Sequence, residues 1–449
     1  MRKKQYSLLI GLLILALLIY WLGPMALRLL PTRYAMRLPE PLQVLALPPD
    51  PTPILPTAAA PISAEALVFD PTRNTESIGA PATPTPLAVA VQYASPAPDA
   101  GLNSPDPTPT LSTTATATPW PLPPAARMAG FVHKYQEWNN CGPATLAMAL
   151  TFFGVNRSQQ ETGNVLRPNP EDRNVTPDEM AAYVNDQTEL MAISRVNGNR
   201  GLLQRFLANN IPVIIEVGID PPGEYRWLGW YGHYLLPVAY DEALEQFWVY
   251  DSWLGTSEIP QTNADPNGRI MTYAELDTYW PQFNRNYIVL FRPEQLALVQ
   301  ELLGEQLDDN LMWQGSLAQA QLDASREPNN AFYWFNLGTT LNALGNYDKA
   351  AVAFDQARAI GLPWRMLWYQ FGPYEAYYHV GRPEEILLLT DTTLKDRPYF
   401  EESFYYRGLA EAANGNTQAA QENFEKALRL NPNFAPAATA LEQYRPSGG

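Results

Sequence analysis

The single cysteine of the chain, Cys141, has neighbours that could make it a nucleophile. Gly142 and Pro143 follow it and open a predicted helix that ends at Gly154, because proline is favoured in the first turn of a helix. Amide groups at a helix N-terminus stabilise a thiolate. Gln136 stands five residues before the cysteine, where its side-chain amide could donate to an oxyanion. The stretch therefore predicts an activated thiol rather than a buried structural cysteine.

A nucleophilic thiol needs a base and a group that orients the base, and two later residues fit these roles. His233 begins a predicted strand and Asp251 ends the next one, with the turn at residues 241–245. The ends of such a hairpin lie side by side, so we expect the imidazole and the carboxylate to meet at one rim of the sheet. Asp241 is the rival carboxylate, but it lies at the turn, at the far end from His233.

Helix and strand signals around these residues predict an α+β domain over residues 126–292. Further helices are expected at residues 202–208 and after three capping boxes, which begin at Ser158, Thr176 and Thr272. Strands are expected at residues 212–217, 234–240, 247–250 and 287–291. A helix carrying Cys141 should pack against an antiparallel sheet carrying His233.

The motif Gln136-x4-Cys141-Gly-Pro-Ala, followed by an apolar helix, resembles the bacteriocin-type double-glycine peptidase family, which are papain-like cysteine peptidases. His233-Tyr, followed after a hairpin by Asp251, adds to the resemblance, which covers about residues 126–292. It implies four roles: nucleophile Cys141, general base His233, orienting carboxylate Asp251 and oxyanion donor Gln136. The sequence has no transporter or ATPase segment, so a preference for Gly-Gly leader peptides does not carry over.

Other candidate residues near these motifs have structural explanations as well. Four aromatic residues precede His233 and either line a substrate cleft or pack in a core: Tyr225, Trp227, Trp230 and Tyr231. His133 precedes the nucleophile in the entry segment, and we expect it to be incidental. His379 is expected to be packed or solvent-facing rather than a ligand.

The C-terminal third repeats with a period of about 34 residues, which resembles tetratricopeptide repeats. Gly345, Gly381 and Gly415 lie 36 and 34 residues apart, with small and aromatic residues in matching positions around them. The resemblance implies an all-α solenoid over residues 293–445 whose concave surface binds peptides or proteins. Residues 294–328 are expected to add a degenerate capping helix pair.

The N-terminus predicts a membrane signal anchor within residues 1–40. Basic residues precede an apolar run at residues 8–22, which approaches the length of a bilayer span. Their position favours a cytoplasmic N-terminus and an extracytoplasmic body. A cleaved signal peptide is the alternative. Residues 41–125 are rich in Pro, Ala and Thr, and 19 of the 43 prolines lie between Pro48 and Pro124, so we expect a disordered, stalk-like linker.

Composition limits the possible partners and cofactors. The net charge of −16 argues against nucleic acid, which needs a basic face. The sequence has one cysteine, three histidines and no Walker A or HExxH string, so it gives no support for a metal or nucleotide cofactor.

Taken with the resemblances above, the sequence predicts a membrane-anchored cysteine peptidase with a peptide or protein substrate and a protein partner on its repeats. The alternatives are a catalytically inactive peptidase-fold scaffold and another acyl-transfer reaction on the same residues.

Overall fold

The structure, a computed structural model, describes residues 122–444 apart from 170, 173, 220–228 and 254–266, together with short pieces between residues 23 and 67. The predicted membrane segment at residues 8–22 lies outside the described residues, as do Tyr225 and Trp227. Among the described helices, none combines the length and the apolar character that a membrane span requires.

The described part of the first domain is built on one seven-stranded sheet. The strands are β1 (Ala125–Arg127), β2 (Met191–Arg195), β3 (Val213–Ile219), β4 (Tyr231–Asp241), β5 (Gln246–Asp251), β6 (Arg269–Thr272) and β7 (Tyr287–Phe291). Their order is β2-β7-β3-β4-β5-β6, β1 pairs with β4, and every pairing is antiparallel. The apolar runs that predicted strands became β3, β4, β5 and β7. β1, β2 and β6 are short, with too few alternating residues to give a strand signal.

Helices cover both faces of the sheet. They are α1 (Cys141–Thr151), α2 (Gln159–Leu166), α3 (Pro177–Gln187), α4 (Arg200–Ala208), α5 (Tyr273–Tyr279) and α6 (Leu296–Leu303). The three predicted capping boxes start α2, α3 and α5. Helices α1 and α3 share a buried cluster with Ile214 and Leu236, whereas α4, α5 and α6 share one with Val217 and Leu235. The alternation of β3 and β4 residues between the two clusters follows from the two-residue period of a strand.

The repeat region consists of paired helices. Its helices are α7 (Asp309–Arg326), α8 (Ala331–Ala343), α9 (Tyr347–Ile360), α10 (Gly372–His379), α11 (Pro383–Asp396), α12 (Glu401–Ala413), α13 (Thr417–Leu430) and α14 (Ala435–Gln443). Gly345, Gly381 and Gly415 each lie in the turn inside a pair, at φ values of 73°, 69° and 80° that favour glycine. The repeat period predicted from these glycines is therefore confirmed as helix–turn–helix pairs.

The expected capping pair at residues 294–328 is divided between the two regions. Val299, Leu302 and Leu303 of α6 are buried in the cluster under the sheet. The next helix, α7, packs on α8 and contributes Ala320 and Ala324 to the core of the repeats. The prediction of a capping pair was therefore wrong. Both segments are apolar and helical, so the sequence does not distinguish them, and only tertiary packing assigns α6 to the sheet.

Trp230 and Phe283 of the sheet domain belong to the hydrophobic core of the repeats. Trp230 stacks on Phe283, with ring centroids 5.6 Å apart, and lies 5.6 Å from Phe332 of α8. Tyr369 of the repeat region contacts both Trp230 and Phe283 edge-on. Trp230 therefore packs in a core and does not line a substrate cleft.

Part of the predicted linker is folded against the repeats. Leu55 is completely buried, and its backbone N–H donates to the Leu362 carbonyl at 2.9 Å. Ile54 forms an antiparallel bridge with Pro363. The prediction of a disordered linker over residues 41–125 is wrong at this point, because a few apolar residues dock on a surface that composition alone does not reveal.

Candidate active site

Cys141 is the first residue of α1, at the point where the chain enters the buried helix. Asn140 precedes it and is held on both sides of its amide. Its Nδ2 donates to Oε1 of Gln159 at 2.8 Å, and its Oδ1 accepts from Arg167 at 3.0 Å. The Thr145 hydroxyl of α1 donates to the Tyr234 carbonyl of β4 at 3.3 Å. These contacts fix the helix N-terminus, and with it the thiol, against the strand that carries His233.

His233 and Asp251 meet at one end of the hairpin. Leu235 is the direct partner of Asp251 in the β4–β5 ladder, and His233 lies two residues earlier on the same face. Nε2 of His233 lies 2.8 Å from Oδ1 of Asp251, and both residues are only 2% exposed. The hydrogen bonding and charge of His233 also lower the pKa of the Cys141 thiol, so the imidazole is close enough to act on the thiol. The juxtaposition predicted from the hairpin is therefore present, and the imidazole lies between the thiol and the carboxylate.

Asp251 is held in place by further donors. Nε of Arg269 lies 3.1 Å from its Oδ2, and the Trp253 backbone N–H donates to its Oδ1 at 2.9 Å. Burial alone would raise the pKa of the Asp251 carboxyl, but the charge and hydrogen bond of His233, together with Arg269, hold it well below its usual range. The carboxylate is thus charged and fixed in orientation. Asp241 instead accepts from the backbone of its own turn, at Ala243 and Leu244.

The electrostatics of the site favour a thiolate–imidazolium pair. Burial opposes the charged form of both groups. The hydrogen bond and charge of His233 nevertheless lower the pKa of the Cys141 thiol. The charge and hydrogen bond of Asp251, followed by the contact with Cys141, raise the pKa of His233 to about 9. The lowered pKa of the thiol and the raised pKa of the imidazole together favour an ionised thiol beside a protonated imidazole, which is the reactive state of a cysteine nucleophile.

Gln136 lies beside the strand end that carries Asp251. Its backbone N–H donates to the Ser252 carbonyl at 2.8 Å, and its Oε1 accepts from the Ser252 hydroxyl at 2.9 Å. Nε2 of His133 contacts the Asp251 carbonyl at 2.7 Å, so this histidine braces the same strand end. His133 is therefore a neighbour of the site, although its place in the sequence gave no sign of this. His379 stacks on Tyr347, with ring centroids 3.8 Å apart.

A small pocket opens at the thiol, and it contains residues that sequence reasoning missed. It is lined by Asn139, Cys141, Gly142, Val175, Glu216, Gly232, Tyr234 and Tyr369. Nδ2 of Asn139 is buried without a hydrogen-bond partner among the described residues. Tyr369 belongs to the repeat region, which therefore supplies one wall of the pocket. No local motif marks these residues, since only the folding of distant segments brings them to Cys141.

Glu216 places a carboxyl group on the buried side of this pocket. It is 4% exposed and pairs with Tyr234 in the β3–β4 ladder. Nδ2 of Asn286 donates to its Oε2 at 2.6 Å. Burial raises the pKa of Glu216 to about 8 against this hydrogen bond, and the charge of Cys141 adds to the shift. The group is therefore largely neutral at pH 7. Within the described residues, no three His, Cys, Asp or Glu side chains form a group that could hold a metal ion.

Two families of known proteins match separate parts of the chain. Residues 128–287 match the Peptidase_C39 like family, and residues 333–357 and 401–434 match tetratricopeptide repeats. A search of curated proteins found no match.

Two solved structures overlap parts of the chain. A candidate C39-like peptidase from Bacillus anthracis is 13% identical, with a TM-score of 0.29, and the match covers 37% of this chain and 98% of that one. MamA 41-end from Desulfovibrio magneticus RS-1 is 17% identical, with a TM-score of 0.28, over 34% of this chain and 80% of that one. By its family matches, the chain carries a C39-like peptidase-family domain followed by tetratricopeptide repeats.

Proposed function

We propose that the sheet domain is a cysteine peptidase that hydrolyses peptide bonds through Cys141, His233 and Asp251. The observation that carries this proposal is the buried His233–Asp251 pair at 2.8 Å, next to a half-buried Cys141 thiol whose pKa the imidazole lowers. A scaffold without activity has no need to hold these three groups in register. The lowered pKa of Cys141 and the raised pKa of His233 add a chemical reason for the arrangement.

The proposed reaction has two steps. The Cys141 thiolate attacks the scissile carbonyl carbon, and the His233 imidazolium gives its proton to the leaving amine as the C–N bond breaks. The neutral imidazole then takes a proton from water, and the resulting hydroxide cleaves the thioester. The acid leaves, and the thiolate and imidazolium are restored. Asp251 remains ionised throughout and orients the imidazole.

Gln136 and the Cys141 backbone N–H are the proposed oxyanion donors. The Ser252 contact holds the oxygen of the Gln136 amide and leaves its Nε2 without a hydrogen bond inside the described part of the chain. Asn139 is the second candidate, because its unpartnered Nδ2 lines the pocket at the thiol. Comparing Gln136→Ala with Asn139→Ala separates them, since removal of the true donor lowers kcat about 10²–10³-fold.

The remaining parts of the proposal concern location and recruitment. Tetratricopeptide repeats bind proteins or peptides in general, so we assign recruitment of a substrate or partner protein to the repeat helices α7 to α14, residues 309–443. The apolar run at residues 8–22 and its basic flank support membrane anchoring with the body outside the cytoplasm. Fractionation of cells that produce the full chain tests the membrane anchoring. A protease added to the outer face of these cells tests whether the body lies outside the cytoplasm. A soluble, protease-protected chain contradicts this placement.

Hydrolysis of a mixed peptide library by the full chain tests the proposed activity. We expect cleavage by the wild type, and loss of at least about 10³-fold with Cys141→Ser or His233→Ala. Asp241→Asn is the matched control, because it removes a carboxylate from the same hairpin but at the turn. If folded wild-type protein cleaves nothing, the scaffold alternative is favoured. If Cys141→Ser leaves cleavage intact, the activity does not belong to this site.

A further inference from the structure

The repeat region holds a short piece of the chain's own N-terminal part as an extended peptide. Along this segment Ile54 is exposed, Leu55 is buried at 0% exposure, Pro56 is half-buried, Thr57 is exposed and Ala58 is buried. Leu55 donates its N–H to Leu362, and Ile54 bridges Pro363. One antiparallel bridge and one main-chain hydrogen bond therefore join the segment to residues 362–363, and main-chain contacts of this kind give affinity in peptide binding.

The surface under this segment contains a polar group built to receive a main-chain carbonyl. Nε of Arg358 donates to the Pro56 carbonyl at 2.7 Å, although Arg358 is only 1% exposed. Its guanidinium is fixed by the Tyr377 hydroxyl at 2.9 Å and by Glu385 at 2.8 Å. A buried cation is costly unless its partners are in place, and here those partners come from the repeats themselves. The donor is therefore pre-positioned before the peptide carbonyl arrives.

Apolar contacts extend the interaction along the repeats. Ala58 and Ala64 are buried like Leu55, and Leu67 packs against the same core. The Gln321 side chain of α7 donates to the Leu67 carbonyl at 3.2 Å. We define the docking groove as the surface formed by Gln321, Arg358, Gly361, Leu362 and Pro363. It donates hydrogen bonds to the backbone carbonyls of Pro56 and Leu67, and it buries the side chain of Leu55, which precedes both.

We propose that the docking groove is a binding site for an extended, apolar, proline-containing peptide, and that residues 54–58 of the same chain occupy it as an intramolecular ligand. Residues 59–121 connect this segment to β1, which belongs to the same folded body. A connection of this kind gives a local concentration on the order of millimolar, so a free peptide at micromolar concentration competes poorly. A partner that uses this groove must displace residues 54–58, and recruitment by the repeats is gated by their release.

The test uses the full chain and a fluorescent peptide with the sequence of residues 51–60. In Leu55→Asp the segment loses its buried anchor, and we expect the peptide to bind this variant at least about tenfold more tightly than the wild type. Thr57→Asp is the matched control, since it adds the same charge at an exposed position and should bind no better than the wild type. A peptide carrying Asp in place of the leucine should bind none of the three proteins.

Two further measurements decide the outcome. The amide of residue 55 should be protected from hydrogen exchange in the wild type and in Thr57→Asp but not in Leu55→Asp. Circular dichroism should show that all three proteins are folded. An unprotected Leu55 amide in the wild type overturns the proposal, as does failure of folded Leu55→Asp to bind the peptide. Sedimentation shows whether the protein is a monomer or a dimer. If the Leu55 amide is protected only in a dimer, the segment in the docking groove belongs to a second copy, which contradicts the intramolecular form. These readouts are independent of peptidase activity.

Discussion

At the residue scale, the site depends on three side chains whose charges support one another. Asp251 keeps His233 protonated to about pH 9, and His233 in turn lowers the pKa of Cys141. Activity should therefore rise with pH as the thiol ionises, below the usual thiol pKa, and fall as the imidazole loses its proton. The neutral carboxyl of Glu216 in the same pocket adds a third titration to this profile.

Glu216→Gln should change the alkaline side of the pH profile. Above about pH 8 the wild-type carboxyl becomes charged beside the thiolate and adds a negative charge to the pocket. Glutamine keeps an acceptor for Asn286 and stays neutral. We expect unchanged kcat/KM at pH 7 and a difference between the two proteins only above about pH 8, where the wild-type carboxyl ionises. Profiles measured from pH 6 to 10 check this, and identical profiles for both proteins would exclude a role for the Glu216 charge.

The three residues of the candidate triad were predictable from the sequence, whereas Glu216 was not. Cys141 is unique, and His233 and Asp251 lie on one hairpin, so the local pairing rule sufficed to bring them together. Glu216 reaches the pocket through the β3–β4 register, and a glutamate inside an apolar strand gives no indication of which neighbours surround it. Sequence reasoning therefore found the contact between the two strands of one hairpin. It missed the contacts between segments that are far apart in the chain.

At the element scale, β4 and the segment before α10 build the pocket together. Gly232 lies beside His233, and a side chain there would come within 3.2 Å of the Tyr369 ring and 2.6 Å of Phe283. The strand thus needs a glycine to let the repeats approach the site. Tyr369 closes the pocket from the repeat side. The size of the pocket therefore depends on a side chain that lies outside the peptidase-family match.

Tyr369→Ala should broaden the substrate residues that the pocket accepts. Removal of the ring opens the wall opposite Cys141, so we expect kcat/KM to rise for larger side chains relative to small ones in a peptide library. Tyr333→Ala is the control, because Tyr333 packs against the same core without lining the pocket. An unchanged ranking of peptides in Tyr369→Ala, or the same change in both variants, would contradict this assignment.

At the scale of the whole molecule, the peptidase-family domain and the repeats form one folded unit. The stack of Trp230 on Phe283 and the contact with Phe332 join the strand before His233 to α8. Sequence repeats and motif boundaries divided the chain at residue 292, and they could not show this shared core. They also could not show the docking of residues 54–58, because a proline-rich composition does not reveal a groove elsewhere in the chain.

Trp230→Ala should weaken both regions together. Truncation of a buried tryptophan costs about 3–5 kcal/mol in the free energy of unfolding. We expect faster hydrogen exchange in β4 and in α8 alike. Phe424→Ala removes an equally buried ring from the separate cluster at the far end of the repeats, where effects pass mainly between neighbouring repeats. Exchange that increases in β4 equally in both variants, or in neither, would argue against the shared core.

The alkylation rate of Cys141 as a function of pH tests the central claim most directly. Because Cys141 is the only thiol in the chain, iodoacetamide labelling reports on this site alone. Because the pKa of Cys141 is lowered, we expect the wild-type rate to stay high to a lower pH than the rate of an ordinary thiol. In His233→Ala, the rate should fall about tenfold for each pH unit below an ordinary thiol pKa of about 8.5. A wild-type rate with that same steep dependence, or one unaffected by His233→Ala, would contradict an activated thiolate.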